Sequence, residues 1–406
     1  MNILVISQYF WPENFRINDW VNGMLERGHS VTVLTGKPNY PSGNVFEDYK
    51  NNSAAFNKYG EAKIIRVPMI ARGQKKWQLI LNYLSFSFNA SFIGLWKLRH
   101  QKFDVNFVFG ASPITVVIPA LIQKKIKGTP TVLWVLDLWP ESLRAAGVIR
   151  SKNILAILSR GVAFLYQKSD LVLGQSQAFV SAIKNLVPKH SNIGYAPNWS
   201  DQFLNTDKSE VATEIRCDKN KFTLLFTGNV GEAQDFPTII NAAEILKESP
   251  IRIIIIGSGR KLAWLANEVK YRHLTDTVIL LGSFPLERMP SFYAVTDAFL
   301  VTLIADETIE KTVPGKIHAY MAYGKPIIGA VNGEAAKVLT DARCGYVSPA
   351  SCAEKLAENI LTLSRESKTG WDSMGLNAQA YYVKEFEREK VLNTFETHLY
   401  LTAKVD

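Results

Sequence analysis

Short runs of β-branched and aliphatic residues alternate along this chain with stretches of helical periodicity. That alternation restricts the fold to parallel sheets covered by helices. In the first half the runs are Ile3–Ser7, Ser30–Thr35, Ala62–Val67, Val105–Phe109, Thr131–Val135 and Leu171–Gly174. A helix from Asn18 to Arg27, ended by Gly28, joins the first two. The pattern lapses into a Pro/Asn/Asp connector at Ala196–Asn205. It restarts with Thr223–Thr227, Arg252–Ile256, Val278–Leu281, Ala298–Thr302, Pro326–Gly329 and Gly345–Val347. At 406 residues the chain exceeds the size at which one core keeps growing. The pattern therefore predicts an α/β protein of two Rossmann-like domains facing each other across a cleft. The first is expected over residues 1–198 and the second over 203–384. Residues 385–406, with a helix over Glu385–Leu399, are expected to cross back onto the first domain.

Cys217, Cys344 and Cys352 show no metal-ligand spacing and no disulfide pattern, which fits a reduced cytosol. The N-terminal MNILVISQYF lacks a basic region, and its apolar run is too short for a signal peptide, so it reads as a buried strand. A net charge of +9 suits either nucleic acid or an anionic membrane. The charge is dispersed and no nucleic-acid module is visible, so its location favours membrane. Trp77–Trp96 carries no charge, with Arg72, Lys75 and Lys76 before it and Lys97, Arg99 and His100 after it. At about 1.5 Å per residue it is just long enough to span a bilayer. Gln78, Asn82, Ser85 and Asn89, however, draw a polar stripe along one side. The expected arrangement is a helix lying in the interface of the inner face of the cytoplasmic membrane. Trp77, Leu81, Leu84, Phe88, Phe92 and Trp96 would enter the lipid, with Lys75, Lys76, Lys97 and Arg99 on the headgroups. A helix buried within the first domain is the competing reading.

Ligands of open parallel sheets bind beyond the carboxyl ends of the strands. After the first strand, Gln8–Asp19 is not a GxGxxG turn. It offers Asn14, Arg16 and Asp19 to hydroxyls or a phosphate, and Tyr9, Phe10 and Trp11 as a sugar platform; alternatively its polar groups only bond its own backbone. Thr35–Gly43 adds Tyr40, and Gly110–Pro113 adds Ser112 in a phosphate or sugar nest. Asp137 and Glu141 in DLWPES are carboxylates at a strand's end, suited to orienting a sugar hydroxyl or assisting proton transfer. Asp137 reads equally as a helix cap.

In the second half, Thr227–Asp235 brings Gly228, Asn229 and Gln234, and Ile256–Arg260 brings Gly257, Gly259 and Arg260. Phe284 in Gly282–Pro290 is a candidate flank for a planar base. Glu310–Pro326 reads as a short helix with Pro314 at its start, Gly324 at its end and Ile317, Tyr320 and Met321 on its apolar face. The N-terminus at Gly315 and Lys316 forms an anion site. Glu334, in NGE, is either a substrate contact or a dipole-compensating cap.

Together QYFWPENFRIND, TGKPNYPSG, GASP, LDLWPES, FTGNVGEAQ, IGSG, VPGKIHAYMAYGKPI and NGE resemble the GT-B glycosyltransferases of family 4, over essentially the whole chain. They are similar to the subgroup that adds N-acetyl-L-fucosamine during O-antigen and capsule assembly. The resemblance implies retaining transfer from a UDP-sugar, with no metal and no cofactor, to an undecaprenyl-diphosphate-linked glycan. The donor would lie on the second domain and the acceptor on the first. The family's two glutamates, eight positions apart, align with Lys311 and Ala319, leaving Glu310, one position off, as the donor-sugar contact. Its basic pair falls on Asn229 and Gln234, so Lys316, Arg260 and the helix N-terminus take over the diphosphate. Asp137 is the candidate nearest the reacting carbon. The competing functions are a nucleotide-sugar epimerase and a non-catalytic subunit of a glycan assembly complex.

Overall fold

The computed structural model describes all residues except 41–42, 74–75, 146–148, 150, 201–210, 216–217, 219 and 405–406. Lys75, Cys217 and residues 201–205 of the expected connector lie outside the described residues, as does the side chain of Lys76. The chain forms two units, Met1–Ala196 with Leu392–Asp406, and Pro197–Val391.

The first unit is built on β1 (Asn2–Ile6), β2 (Ser30–Thr35), β3 (Lys58–Tyr59), β4 (Ala62–Arg66), β5 (Val105–Gly110), β6 (Thr131–Val135), β7 (Leu171–Gly174) and β8 (Ile193–Tyr195). They order as β3-β4-β2-β1-β5-β6-β7-β8, parallel except for the β3–β4 hairpin. The six anticipated strands are present; β3 and β8 were not anticipated, being two and three residues long. So short a run carries no periodicity. Its helices include α1 (Arg16–Glu26), α2 (Lys76–Asn89), α3 (Ile118–Lys127) and α4 (Lys152–Lys168). A π-helical turn, Ala90–Gly94, continues α2 into Leu95–Lys97.

Successive strand residues point to opposite faces, and the two faces are covered differently. Leu4, Ile6, Val108, Leu133 and Val135 pack under Phe86 of α2, Val117 and Ala120 beside and on α3, and Val162 and Tyr166 of α4. On the other face Trp20 of α1 stacks on Phe107 at 3.9 Å.

The second unit orders β11 (Val278–Gly282), β10 (Ile251–Ile256), β9 (Phe222–Thr227), β12 (Ala298–Thr302), β13 (Ile327–Ala330) and β14 (Gly345–Ser348) side by side, all parallel. This 3-2-1-4-5-6 order reverses between β9 and β12, the place where a doubly wound sheet opens a crevice. α5 (Gly315–Tyr323) follows β12 at that point, and α6 (Gly333–Asp341) follows the next strand, β13. Pro314 is the N-cap of α5 rather than part of its first turn, and Gly324 closes it in the left-handed conformation.

The last helix, α7 (Arg388–Ala403), starts in the second unit and contributes Leu392 onward to the first. Its Phe395 meets Trp134 edge-on at 4.8 Å and Phe107 at 5.7 Å. Around it His29 Nε2 lies 2.7 Å from Glu396, and Arg27 pairs with the same carboxylate at 3.6 Å. The Phe395 ring is fully buried, so Phe395→Ala is expected to destabilise the first unit by about 3–5 kcal/mol. Urea unfolding followed by tryptophan fluorescence measures this.

Candidate functional site

The carboxyl edge of the second unit is held together by its loops before any ligand enters. Gly228 N–H donates to Ile256 O at 2.9 Å, Val230 N–H to Ser258 O at 2.8 Å, and Gly257 N–H to Gly282 O at 2.7 Å. A Cβ on Gly257 (φ +150°) would lie 1.7 Å from Gly228 O, and one on Gly259 would lie 2.2 Å from Val230 O. These glycines therefore serve loop-on-loop packing. The Asn229 carboxamide packs over Gly231 and Gly259 within the same layer.

Tyr320 anchors α5 beneath these loops. Its hydroxyl lies 2.8 Å from Thr227 N and 3.0 Å from Thr227 Oγ1, and its ring stacks on Phe299 at 4.2 Å. That places the start of α5 beside Gly228. Lys316 Nζ donates to Gln234 Oε1 at 2.6 Å and sits 3.4 Å from the centre of the Phe226 ring. Burial pushes its pKa well below the usual lysine range. A half-buried amine with one neutral acceptor and an aromatic face is disfavoured as a cation, and an anion beside it would favour the charged form.

Glu310 lies on a short 3-10 turn, Ile309–Lys311, and its Oε1 accepts from Asn332 Nδ2 at 2.9 Å. A Cβ on Gly333 would lie 2.1 Å from Glu310 O, so the NGE loop is seated on this turn. Glu334 occupies the first turn of α6. Ala319 is packed against the core as an ordinary apolar residue. Phe284, the candidate base flank, is half-buried and packs on Phe292 at 4.7 Å. Arg260 is exposed in the loop after β10.

In the first unit the edge is organised by a carboxylate that the sequence reading missed. Glu13 is buried; its Oε1 accepts from Asn39 N and Tyr40 N at 2.7 Å each, and its Oε2 from Phe10 N at 3.2 Å. Burial raises its pKa, against the pull of those N–H donors and the nearby Arg66. An isolated Glu in a loop carries no spacing signal, so only the fold exposes this role. Of the expected platform, Phe10 and Tyr9 are buried and the half-buried Trp11 packs on Phe56, while Phe15 and Tyr40 cluster with Tyr9. The Arg72 guanidinium lies 5.2 Å over the Tyr40 ring, which assigns this cation to the loop edge. Arg16 and Asp19 pair with each other at 3.9 Å, and Asn14 is exposed.

Asp137 and Ser112 do come together. The Trp139 indole N–H lies 3.2 Å from both Ser112 Oγ and Asp137 Oδ2, and the Tyr83 hydroxyl bonds Ser112. Burial raises the Asp137 pKa, its hydrogen bonds pull it back, and the charge of Glu141, at the start of the 141–145 helix, raises it again. Trp139 and Tyr83 were not foreseen as members.

Tyr83 belongs to α2, whose polar stripe is held by the protein. Asn82 is fully buried: it accepts from Gln8 Nε2 at 2.7 Å and donates to Ile70 O at 2.6 Å. Ser85 Oγ accepts from Ile70 N, and Asn89 donates to Pro68 O. The polar stripe thus faces the protein. The opposite side exposes Trp77 (57%), Leu81, Leu84, Phe88 (63%), Phe92 and Trp96 (63%). Arg99 lies 4.1 Å over the Trp96 ring, and Lys97 Nζ bonds Arg66 O at 3.3 Å.

Residues 221–366 match the family model of glycosyl transferases group 1. The structure superposes on Anabaena HepE in complex with UDP with a TM-score of 0.73 at 16% identity, covering 98% of this chain and 99% of that one. Sucrose-phosphate synthase from Thermosynechococcus elongatus gives 0.69 at 14%, covering 100% of both chains. The fold is GT-B. Among curated proteins, the putative colanic acid biosynthesis glycosyl transferase WcaI of Escherichia coli is 24% identical over 97% of this chain and 98% of its own length. The probable glycosyltransferase WbjE of Pseudomonas aeruginosa is 26% identical over 64% of this chain and 66% of its own. The chain is thus similar to glycosyltransferases of group 1 over much of its length.

Within this GT-B frame the Tyr320 hydroxyl is the tie between α5 and the loop after β9. Tyr320→Phe leaves the buried Thr227 N–H without its partner. An expected loss of about 1–3 kcal/mol in chemical denaturation follows.

Proposed function

We propose that this chain is a retaining, metal-independent glycosyltransferase acting on a UDP-sugar, with N-acetyl-L-fucosamine the first candidate sugar. The acceptor is an undecaprenyl-diphosphate-linked glycan, and the process is O-antigen or related polysaccharide synthesis at the inner face of the cytoplasmic membrane. The observation that carries the reading is the Lys316–Gln234 contact at the N-terminus of α5, beside the point where the strand order reverses. Free N–H groups of a helix start and a lysine beside them suit a diphosphate.

As the bond from the sugar's anomeric carbon to the diphosphate oxygen breaks, negative charge grows on the leaving group. Lys316 and the α5 N–H groups meet that charge; preorganised donors of this kind supply the largest catalytic term. The acceptor hydroxyl oxygen bonds the anomeric carbon on the face the diphosphate leaves, and its proton passes to the departing phosphate oxygen. Glu310, steadied by Asn332, holds donor-sugar hydroxyls, with Glu334 and Arg260 at the rim of the donor. Asp137, steadied by Trp139, orients the acceptor hydroxyl near the reacting carbon, with Tyr40, Ser112 and Glu141 around the acceptor glycan. Support for a lipid-linked acceptor comes from α2: its inner side supplies Tyr83 and Asn82 to the edge carrying Asp137 and Tyr9, while its outer side is apolar.

Lys316→Met is expected to lower kcat/KM by about 10²–10³-fold with an unchanged circular dichroism spectrum. The amine's lowered pKa gives a second readout. The free protein holds fewer protons on this group than the diphosphate complex does. UDP binding above the lowered pKa therefore takes up a proton, and affinity falls as pH rises through it. Calorimetry in buffers of different ionisation enthalpy reads the uptake, which Lys316→Met abolishes.

The overall reading is tested with a panel of UDP-sugars and a synthetic diphosphate-lipid acceptor, scored by product mass. A product one sugar heavier, with UDP released and EDTA without effect, supports it. Epimerisation of the UDP-sugar without acceptor, or no UDP release with any donor, refutes it.

A further inference from the structure

The apolar outer side of α2 does not stand alone. α2, α3 and α4 cover the same face of the first sheet. The chain has 37 acidic residues, and none falls on α2 and its continuation to Lys97, on α3, or on α4. Basic residues are present on all three, including Lys97, Lys124, Lys125, Lys127, Arg160 and Lys168. α4 exposes Ile154, Ile157 and Phe164, an apolar line at helical spacing, and α3 exposes Ile126. An ordinary solvated helix face carries both signs of charge, and these carry one.

Between α3 and α4 lies a groove of about 750 Å³, lined by Ile118, Leu121 and Ile122 from one helix and Phe164 and Leu165 from the other. Its size falls in the range of roughly 300–1,000 Å³ typical of small-molecule sites. Three lysines, Lys124, Lys125 and Lys168, border it. Lys124 is engaged by Asp170 at 2.8 Å and by Lys168 O, whereas Lys168 Nζ lies 5.6 Å from the Phe164 ring at the groove wall. A helix that follows a parallel strand runs back to the opposite sheet edge, so these lysines, in the last turn of each helix, lie away from the loops carrying Asp137.

We infer that the α3–α4 groove binds one acyl chain of an anionic phospholipid drawn from the bilayer, with the lipid phosphate on Lys125 and Lys168. This rests on the interfacial placement of α2 proposed above. An apolar trough ending in cations matches an amphiphile with a negative head. The acid-free surface continuous with it favours an anionic bilayer as the source. The lipid here is a surface-held ligand, distinct from the acceptor whose glycan reaches the loop edge.

The test uses the full chain with phosphatidylcholine vesicles, with or without bulk phosphatidylglycerol, each carrying a trace of a phosphatidylglycerol with a photoreactive diazirine on its acyl chain. A second arm uses a short-chain diazirine phosphatidylglycerol below its micelle concentration, without vesicles. Labelled peptides within 118–126 and 160–168 in both arms, reduced about tenfold in Lys125→Glu/Lys168→Glu and competed by phosphatidylglycerol but not phosphatidylcholine, support the groove. Labelling confined to α2 peptides overturns it while leaving the interfacial helix standing. Groove labelling in the monomer arm, with no vesicle pelleting, supports the groove and sinks the interfacial helix instead. Equal competition by phosphatidylcholine overturns the assignment of an anionic head. Trp77→Ser/Phe88→Ser/Trp96→Ser serves as the α2 control: it should abolish pelleting and spare monomer labelling.

Discussion

The buried carboxamide of Asn82 fixes more of this protein than any other single side chain. A polar group removed from water must find partners inside, and an unpaired one costs on the order of 1–3 kcal/mol. Asn82 finds Gln8, Tyr9 and Ile70, and can reach them in only one rotation of α2. With that rotation set, Ser85 and Asn89 close onto the 68–70 segment, and every large apolar residue of the opposite side is turned outward. The exposed hydrophobic surface is thus a consequence of satisfied hydrogen bonds on the inner side. The same rotation puts Tyr83 against Trp139, so the network around Asp137 inherits its geometry from the helix.

The second unit solves a different problem. Three loops that leave neighbouring strands must lie flat enough for a helix N-terminus to face a ligand over them. Glycines at 257 and 259 let backbone touch backbone, and the loops hydrogen-bond one another instead of waiting for a substrate. The cost of this compact edge falls on Lys316, whose amine has one neutral acceptor and a ring face around it. That cost is a reserve. On the proposed function, a diphosphate beside this amine would favour its charged form, in surroundings where screening by water is weak.

Much of the fold was legible because parallel strands buried on both faces read as unbroken aliphatic runs. Every strand foreseen is present within a residue or two, and only the two- and three-residue strands escaped. α5 was legible from its end signals, Pro314 and Gly324. The candidate positions were read where a strand end meets a charged or glycine-rich loop, as at Asp137 and Gly228, and where a helix begins, as at Lys316. What escaped has a common physical cause: the role depends on which side of an element faces inward. Glu13 looked like one more loop carboxylate, yet it holds two loops through three N–H groups. The stripe of α2 was recognised, but periodicity gives a face without saying what it faces. Likewise Gly257 announces a close approach and leaves open whether a ligand or a neighbouring carbonyl makes it.

The remaining peculiarity, an alanine where related sequences are expected to carry a carboxylate, becomes intelligible from the neighbourhood of Glu310. Ala319 lies one turn along α5 from Lys316, packed against the core. A carboxylate there would have to pair with Lys316 or be desolvated beside it, and either would tie up the cation that a diphosphate needs. Glu310 lies on a separate turn, and its carboxylate is already directed by Asn332, which also accepts from Ala350 N. Separating the acid from the helix that carries the cation leaves Lys316 with Gln234 alone, a neutral partner that an incoming anion can outcompete. On the proposed function, the arrangement would exchange a second acidic contact for a lysine held ready, leaving hydroxyls to the loop before α5 and charge to the helix itself.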